Sequence, residues 1–143
     1  MLRLTNLAGR VMNHRDDPRV RVRDDVFIPE CDVCGDMTFT EAQASALDDA
    51  LERSYRRKRL RQQRALINDL RRAGLTQVQI ERFANLSPGY VSKLRQGKLA
   101  SGATFRLLYL LHAFPREALR VVSRLDPRLN DARTKVDSVA SAG

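Results

Sequence analysis

Residues 74–98 read GLTQVQIERFANLSPGYVSKLRQGK, and their spacing predicts two short helices joined by a tight turn. Gly74 can close a preceding helix, because it takes the left-handed conformation at no steric cost. Thr76 then starts a helix, and Gln79 three residues later completes a capping-box pattern. Ile80, Phe83 and Ala84 share one face of that helix. Asn85 and Leu86 make a short break. Ser87 suits an N-cap and Pro88 the first helical position, which places the second helix at 88–96. Val91 and Leu94 face inward there. Tyr90, Ser92, Lys93, Arg95 and Gln96 are left on the other faces, and Gly97 ends the element. Two short helices, a tight turn and a polar, basic second helix form the helix-turn-helix unit that reads DNA.

The charge distribution points the same way. Residues 51–106 carry 14 Lys/Arg and only three acids, a larger excess than the +9 of the whole 143-residue chain. The basic charge is therefore gathered around the helix-turn-helix, as a phosphate backbone requires. Residues 53–64 alone hold seven positive side chains and no acid. Like charges four apart oppose helix formation. Such a run is either a solvated face or a surface laid along nucleic acid, and clustered Arg leaves RNA open beside DNA.

Length allows one domain or two very small ones. No apolar run approaches the ~20 residues that span a membrane. The N-terminus, MLRLTNLAGR, lacks the apolar stretch of a secretion signal, so cytoplasmic residence is the default expectation. Enzyme signatures are missing: there is no Gly-rich phosphate loop, no His-Glu-x-x-His and no nucleophile elbow. The paired acids Asp16-Asp17, Asp24-Asp25 and Asp48-Asp49 are adjacent in sequence. They do not face each other on a strand or helix, and are read as turn or surface charge.

Residues 1–30 are different in kind, with six Arg nearly balanced by five acids. Val20 and Val22 alternate with Arg19, Arg21 and Arg23 at strand period. Asp16-Asp17-Pro18 predicts one turn, and Asp24-Asp25 another that leads into a strand over 26–29. A sheet this small is marginal alone and must lean on a metal, a partner or a second subunit. Cys31-Asp-Val-Cys34-Gly35 follows. Two thiolates on a tight turn can grip a metal, but tetrahedral zinc needs four ligands. Three readings stand: a remnant without metal, zinc completed by His14, an Asp or the same pair from a second subunit, and a redox dithiol. The βαβ setting of a thioredoxin-like motif is missing. His112 is read as a helix residue with a satisfied hydrogen bond.

Thr40, with Gln43, opens a helical pattern that no Pro or Gly interrupts over 41–73. It forms one long helix, or two with a break in the Arg-rich middle. Ser101 or Thr104 caps a later helix in which Phe105, Leu107, Leu108, Leu110, Leu111 and Phe114 lie on more than one face. Such a helix needs cover on several sides, one of them supplied by a second subunit. Pro115 starts a last short helix with Leu119, Val122 and Leu125. Residues 126–143 carry few large apolar groups and are expected to be a flexible tail.

The order of these parts resembles the MqsA/YgiT-type antitoxins: VFIPECDVCG, then FTEAQASALDDAL, then a helix-turn-helix with Thr76-Gln77 at its start and Ser92-Lys93-Leu94-Arg95-Gln96-Gly97-Lys98 at its end. The resemblance covers roughly residues 19–125. It implies a zinc ribbon that binds a toxin, joined to an Xre/Cro-type domain that dimerises on a palindrome in its own promoter. It also places Lys93 where the family has a base-contacting Arg, and Gly89 where the family has a base-contacting Asn. Gly89 has no side chain for that contact, which leaves Tyr90 and Ser87 as substitutes and Gln77 as a phosphate contact. The family ribbon has two Cys-x-x-Cys knuckles, and here only the second exists.

The expectation is thus a mainly α protein with a small N-terminal β element, a degenerate zinc ribbon, followed by a five-helix Xre/Cro-type domain. Its parts are a β/knuckle region over 1–39, a helical connector over 40–60, the DNA-binding domain over 61–125 and the tail. The expected partners are double-stranded DNA bearing a palindromic operator, a second copy of the chain, and a toxin or other protein at residues 1–50. The DNA-contacting set is Gln77, Ser87, Gly89, Tyr90, Ser92, Lys93, Arg95, Gln96 and Lys98, with Arg57 and Arg61 on phosphates. Cys31 and Cys34 are the metal candidates, with zinc the metal in view. The alternatives are a toxin-neutralising module acting through residues 1–50, a stand-alone regulator from a mobile element, and an RNA-binding protein using the Arg-rich helix.

Overall fold

The computed structural model describes residues 1–143. The protein is mainly helical, with six helices and four short strands at the N-terminal end. The chain divides into two compact units, residues 1–58 and 59–143. No helix is long and apolar enough to cross a membrane.

In the first unit β1 (Leu2–Asn6) pairs antiparallel with β4 (Phe27–Cys31), and between them β2 (Val11–His14) pairs with β3 (Asp17–Arg21). The result is a nested ribbon of two two-stranded sheets. The inner turn is Arg15-Asp16, with Arg15 at φ +52°. The turn expected at Asp16-Asp17-Pro18 therefore starts one residue earlier, and Asp17 and Pro18 belong to β3. The strand expected at 26–29 is β4 and extends to Cys31. Leu7, Val20, Val22, Val26 and Ile28 are buried with Leu47, Ala50, Leu51 and Tyr55 of the long helix α1 (Glu41–Arg72). Polar contacts join ribbon and helix around that core. Arg53 holds Asp24 at 2.8 Å, Lys58 holds Asp17 at 2.7 Å, and the Tyr55 hydroxyl donates to Asp16 at 2.8 Å.

α1 is one uninterrupted helix of 32 residues, which settles the choice between one helix and two. Thr40 and Gln43 form the expected reciprocal cap: Thr40 Oγ1 accepts from the Gln43 amide at 3.2 Å, and Gln43 Oε1 accepts from the Thr40 amide at 3.0 Å. The Arg-rich run is not one solvated face. Arg53 and Lys58 are engaged with acids, and Arg59 is buried with its guanidinium 4.0 Å from the Phe105 ring centroid. Arg56, Arg57 and Arg61 are exposed.

The second unit contains the end of α1, then α2 (Gln77–Phe83), α3 (Tyr90–Gln96), α4 (Gly102–Ala113), α5 (Pro115–Val122), a 3-10 turn Pro127–Leu129 and α6 (Asn130–Ser141). Its core joins Ile67 and Leu70 of α1 to Leu75, Ile80, Phe83, Val91, Leu94, Leu108, Leu111 and Leu119. Residues 126–143 are not a flexible tail. Leu129, Ala132 and Val136 belong to the same core, the first two with no exposed surface. Sequence reasoning missed this helix because small residues, Ala132 and Val136, make its buried face. α4 buries Leu108 and Leu111 and leaves Leu107, Tyr109, Leu110 and Phe114 exposed. Ser101 caps it, accepting from the Thr104 amide at 3.1 Å. Pro115 opens α5 as expected, but Leu125 beyond it is 85% exposed rather than inward.

Candidate nucleic-acid interface

α2 and α3 are delimited largely by backbone chemistry. The Gly74 amide donates to Arg71 O and the Leu75 amide to Leu70 O, a Schellman end for α1. The same pair of bonds recurs after α2, from Asn85 to Arg82 O and from Leu86 to Glu81 O, and after α3, from Gly97 to Leu94 O and from Lys98 to Lys93 O. At these three helix ends the residues in the left-handed region are Gly74, Asn85 and Gly97. Thr76 caps α2 with the full capping box, Thr76 Oγ1 accepting from the Gln79 amide and Gln79 Oε1 from the Thr76 amide.

The start of α3 departs from expectation. It begins at Tyr90 rather than at 88, and Ser87 is not its cap. Gly89 occupies the cap position at φ +82°, a conformation that favours glycine. The Ser87 carbonyl accepts from the Tyr90 amide at 3.1 Å, so residues 87–90 close as a turn first. The side-chain acceptor comes from α2 instead. Glu81, only 4% exposed, accepts from the Val91 amide at 3.1 Å and from Gln77 Nε2 at 3.1 Å. A carboxylate bonded to a backbone N–H is a charge-assisted contact, stronger than the neutral serine cap it replaces.

The other end of α3 is held from α1. Gln63 has no exposed surface. Its amide nitrogen donates to Leu94 O and Lys98 O, each at 2.8 Å, and its Oε1 accepts from the Ala100 amide at 2.8 Å. Beside it, Arg64 Nε donates to Arg95 O at 3.3 Å. Gln63 and Glu81 were not among the sequence candidates, and Arg64 entered only as a member of the basic run over 53–64. Single polar residues inside helices carry no periodic signal, and their role follows from which backbone they meet in the fold.

With α3 fixed at both ends, Val91 and Leu94 point into the core while Lys93, Arg95, Gln96 and Lys98 are exposed. Ser92 and Tyr90 are half-buried. Tyr90 packs against the core, and Lys98 Nζ lies 4.4 Å from its ring centroid. Ser87 is exposed on the turn. Gln77, the expected phosphate contact, is half-buried and bonded to Glu81. Arg61 is exposed in this unit, whereas Arg57 belongs to the first. The gathered set is therefore Ser87, Tyr90, Ser92, Lys93, Arg95, Gln96 and Lys98.

The metal candidates do not complete a site within one chain. Cys31 ends β4 and Cys34 is exposed on the following turn, where Gly35 takes φ +74° and its amide donates to Cys31 O at 2.9 Å. Backbone N–H groups of Cys34 and Val33 hold the Cys31 thiol below its usual value. No group of three or more His, Cys, Asp or Glu comes together to hold a metal. His14, one of the residues that could have completed a zinc site, bonds Glu52 Oε2 at 2.8 Å. His112 Nε2 lies 3.4 Å from Asp69 Oδ2, without the hydrogen bond expected of it.

No protein-family model, no curated protein and no solved structure matches this chain.

Proposed function

We propose that the protein is a sequence-specific DNA-binding regulator of the Xre/Cro type, acting as a dimer on a palindromic operator and repressing its own promoter as antitoxins do. The observation that carries this reading is the division of labour around α3. Glu81 and Gln63 fix it from the inside, while Lys93, Arg95, Gln96 and Lys98 face outward. A seven-residue helix with rigid ends and a basic outer face fits the major groove, and two such helices would enter half-sites one helical turn apart, about 34 Å. Lys93 reads a base edge, most naturally guanine O6 and N7. Arg95, Lys98 and Arg61 hold phosphates and set affinity without reading sequence. The test is fluorescence anisotropy of the protein titrated onto its own upstream DNA and onto scrambled DNA at several salt concentrations. Tight, selective binding with a steep salt dependence supports the reading; equal, weak binding to both DNAs overturns it.

A second reading is favoured by the exposed apolar side chains Leu2, Leu4, Phe27, Val33 and Phe39. In it, residues 1–50 bind another protein, a toxin in the antitoxin reading.

A further inference from the structure

The outer sheet of the first unit has two edges, and they are treated differently. Along β4 the outward-pointing groups of Pro29 and Cys31 are satisfied. The Thr38 amide donates to Pro29 O at 3.1 Å, the Cys31 amide donates to Asp36 O at 2.8 Å, and Met37 bridges Glu30. Along β1 there is no neighbouring strand.

The register fixes which groups that open edge presents. Antiparallel pairs alternate between hydrogen-bonded and non-hydrogen-bonded. The Leu7 amide bonds Val26 O and the Asp32 amide bonds Met1 O, so the bonded positions of β1 are the odd ones. Pro29, which has no N–H to give, stands opposite Leu4, in agreement. The N–H and C=O groups of Leu2, Leu4 and Asn6 therefore point away from β4. The side chains of Leu2 and Leu4 share a face with Phe27 and Pro29, and Leu2, Leu4 and Phe27 are 58%, 62% and 51% exposed. An open edge beside an exposed apolar face is a template for strand addition.

We propose that β1 pairs antiparallel with β1 of a second copy, joining the two outer sheets into one four-stranded sheet. The edge is self-complementary. With Leu4 on the two-fold axis, Leu2 meets Asn6 of the second copy, and every outward N–H and C=O of the three residues finds a partner. Arg3 then stands opposite Thr5. Moving the axis to Arg3 would set two guanidinium groups face to face, a destabilising like-charge pair. Moving it to Thr5 would leave Leu2 unpaired. The apolar faces of the two copies become continuous across Leu4. The pairing supplies the second subunit that the dimeric reading calls for, but it stands on the strand edge alone.

Leu4→Pro is the matching perturbation, because it removes an outward N–H while leaving the bonded positions of β1–β4 in place. Leu4→Lys keeps the backbone and sets two ammonium groups on the axis. The full chain is examined by sedimentation, with amide exchange followed by NMR. The expected result is a wild-type dimer with slow exchange at Leu4, and variants whose dissociation constant rises about tenfold or more with the far-UV spectrum retained. A wild-type monomer, or a dimer in which the Leu4 amide exchanges freely, overturns the pairing; the first outcome leaves the edge to a foreign strand. Retained dimerisation in folded Leu4→Lys also overturns it. Loss of operator selectivity in a protein that still dimerises would count against the DNA reading and not against this one.

Discussion

Replacing Gln63 with Leu tests whether α3 is held as described. The substitution keeps a side chain of similar size and removes both the donor and the acceptor. The Ala100 amide is left without a partner in a buried setting, Leu94 O keeps only the long bond from the Gly97 amide, and Lys98 O loses a partner in a half-buried setting. An unsatisfied buried backbone group costs about 1–3 kcal/mol. The half-buried carbonyl can turn to water, and the added apolar burial returns about 1 kcal/mol. The net loss is about 1–5 kcal/mol, a sizeable part of the ~5–15 kcal/mol that stabilises a domain. Native-state amide exchange at Leu94 and Leu108 reads it directly, because these residues lie in the core of the second unit. Exchange should quicken by about fivefold to a few thousandfold, and operator affinity should fall with it. A change below about threefold would refute the claim that this side chain fixes the end of α3.

Lys93→Ala should weaken operator binding by about 1–3 kcal/mol and relax preference at one base position, whereas Arg61→Ala with Arg95→Ala should weaken all DNAs alike and flatten the salt slope by about two. Anisotropy on single-base operator variants separates the two, and a sequence-selective loss from the arginine pair would count against phosphate contact. Leu129→Ala should cost about 2–5 kcal/mol in chemical denaturation, since Leu129 is wholly buried; a negligible cost would return residues 126–143 to a mobile tail. Glu52 is held below the ordinary carboxylate value of 4.5 by the His14 hydrogen bond and the charge of Arg15. Its contribution is therefore whole above about pH 4.5 and is lost as pH falls through the lowered folded value. The stability gap between wild type and Glu52→Gln, followed by thermal unfolding from pH 7 to pH 3, should narrow in acid; a constant gap would show that the ionised carboxylate adds nothing.

What the sequence made legible was local. The Thr40–Gln43 and Thr76–Gln79 boxes, the Gly74 and Gly97 ends, the Ser101 cap and the Pro115 start each depend on residues within one turn of each other. Ser87-Pro88 has the same local form and misleads, because Glu81, ten residues before Val91, supplies the acceptor from another helix. β1 alternates Leu2, Arg3, Leu4 and Thr5 at strand period, yet its partner lies more than twenty residues away, and only the fold brings them together. The charged run over 53–64 suggested a single surface. Its members divide among acids of the ribbon, an aromatic ring of α4 and solvent, and composition cannot separate those fates.

The groups that hold α3 all lie off its exposed face: a carboxylate on α2, an amide on α1 and the chain's own carbonyls. Ser92, Lys93, Arg95 and Gln96 use their side chains in none of the bonds described. On the proposed DNA-binding reading, changing them would alter what the helix recognises without disturbing where it sits. For selection, natural or in the laboratory, this is a favourable starting point. A library randomised at 92, 93, 95 and 96 should return folded proteins at high frequency, and new operator preferences could arise with little attendant loss of stability.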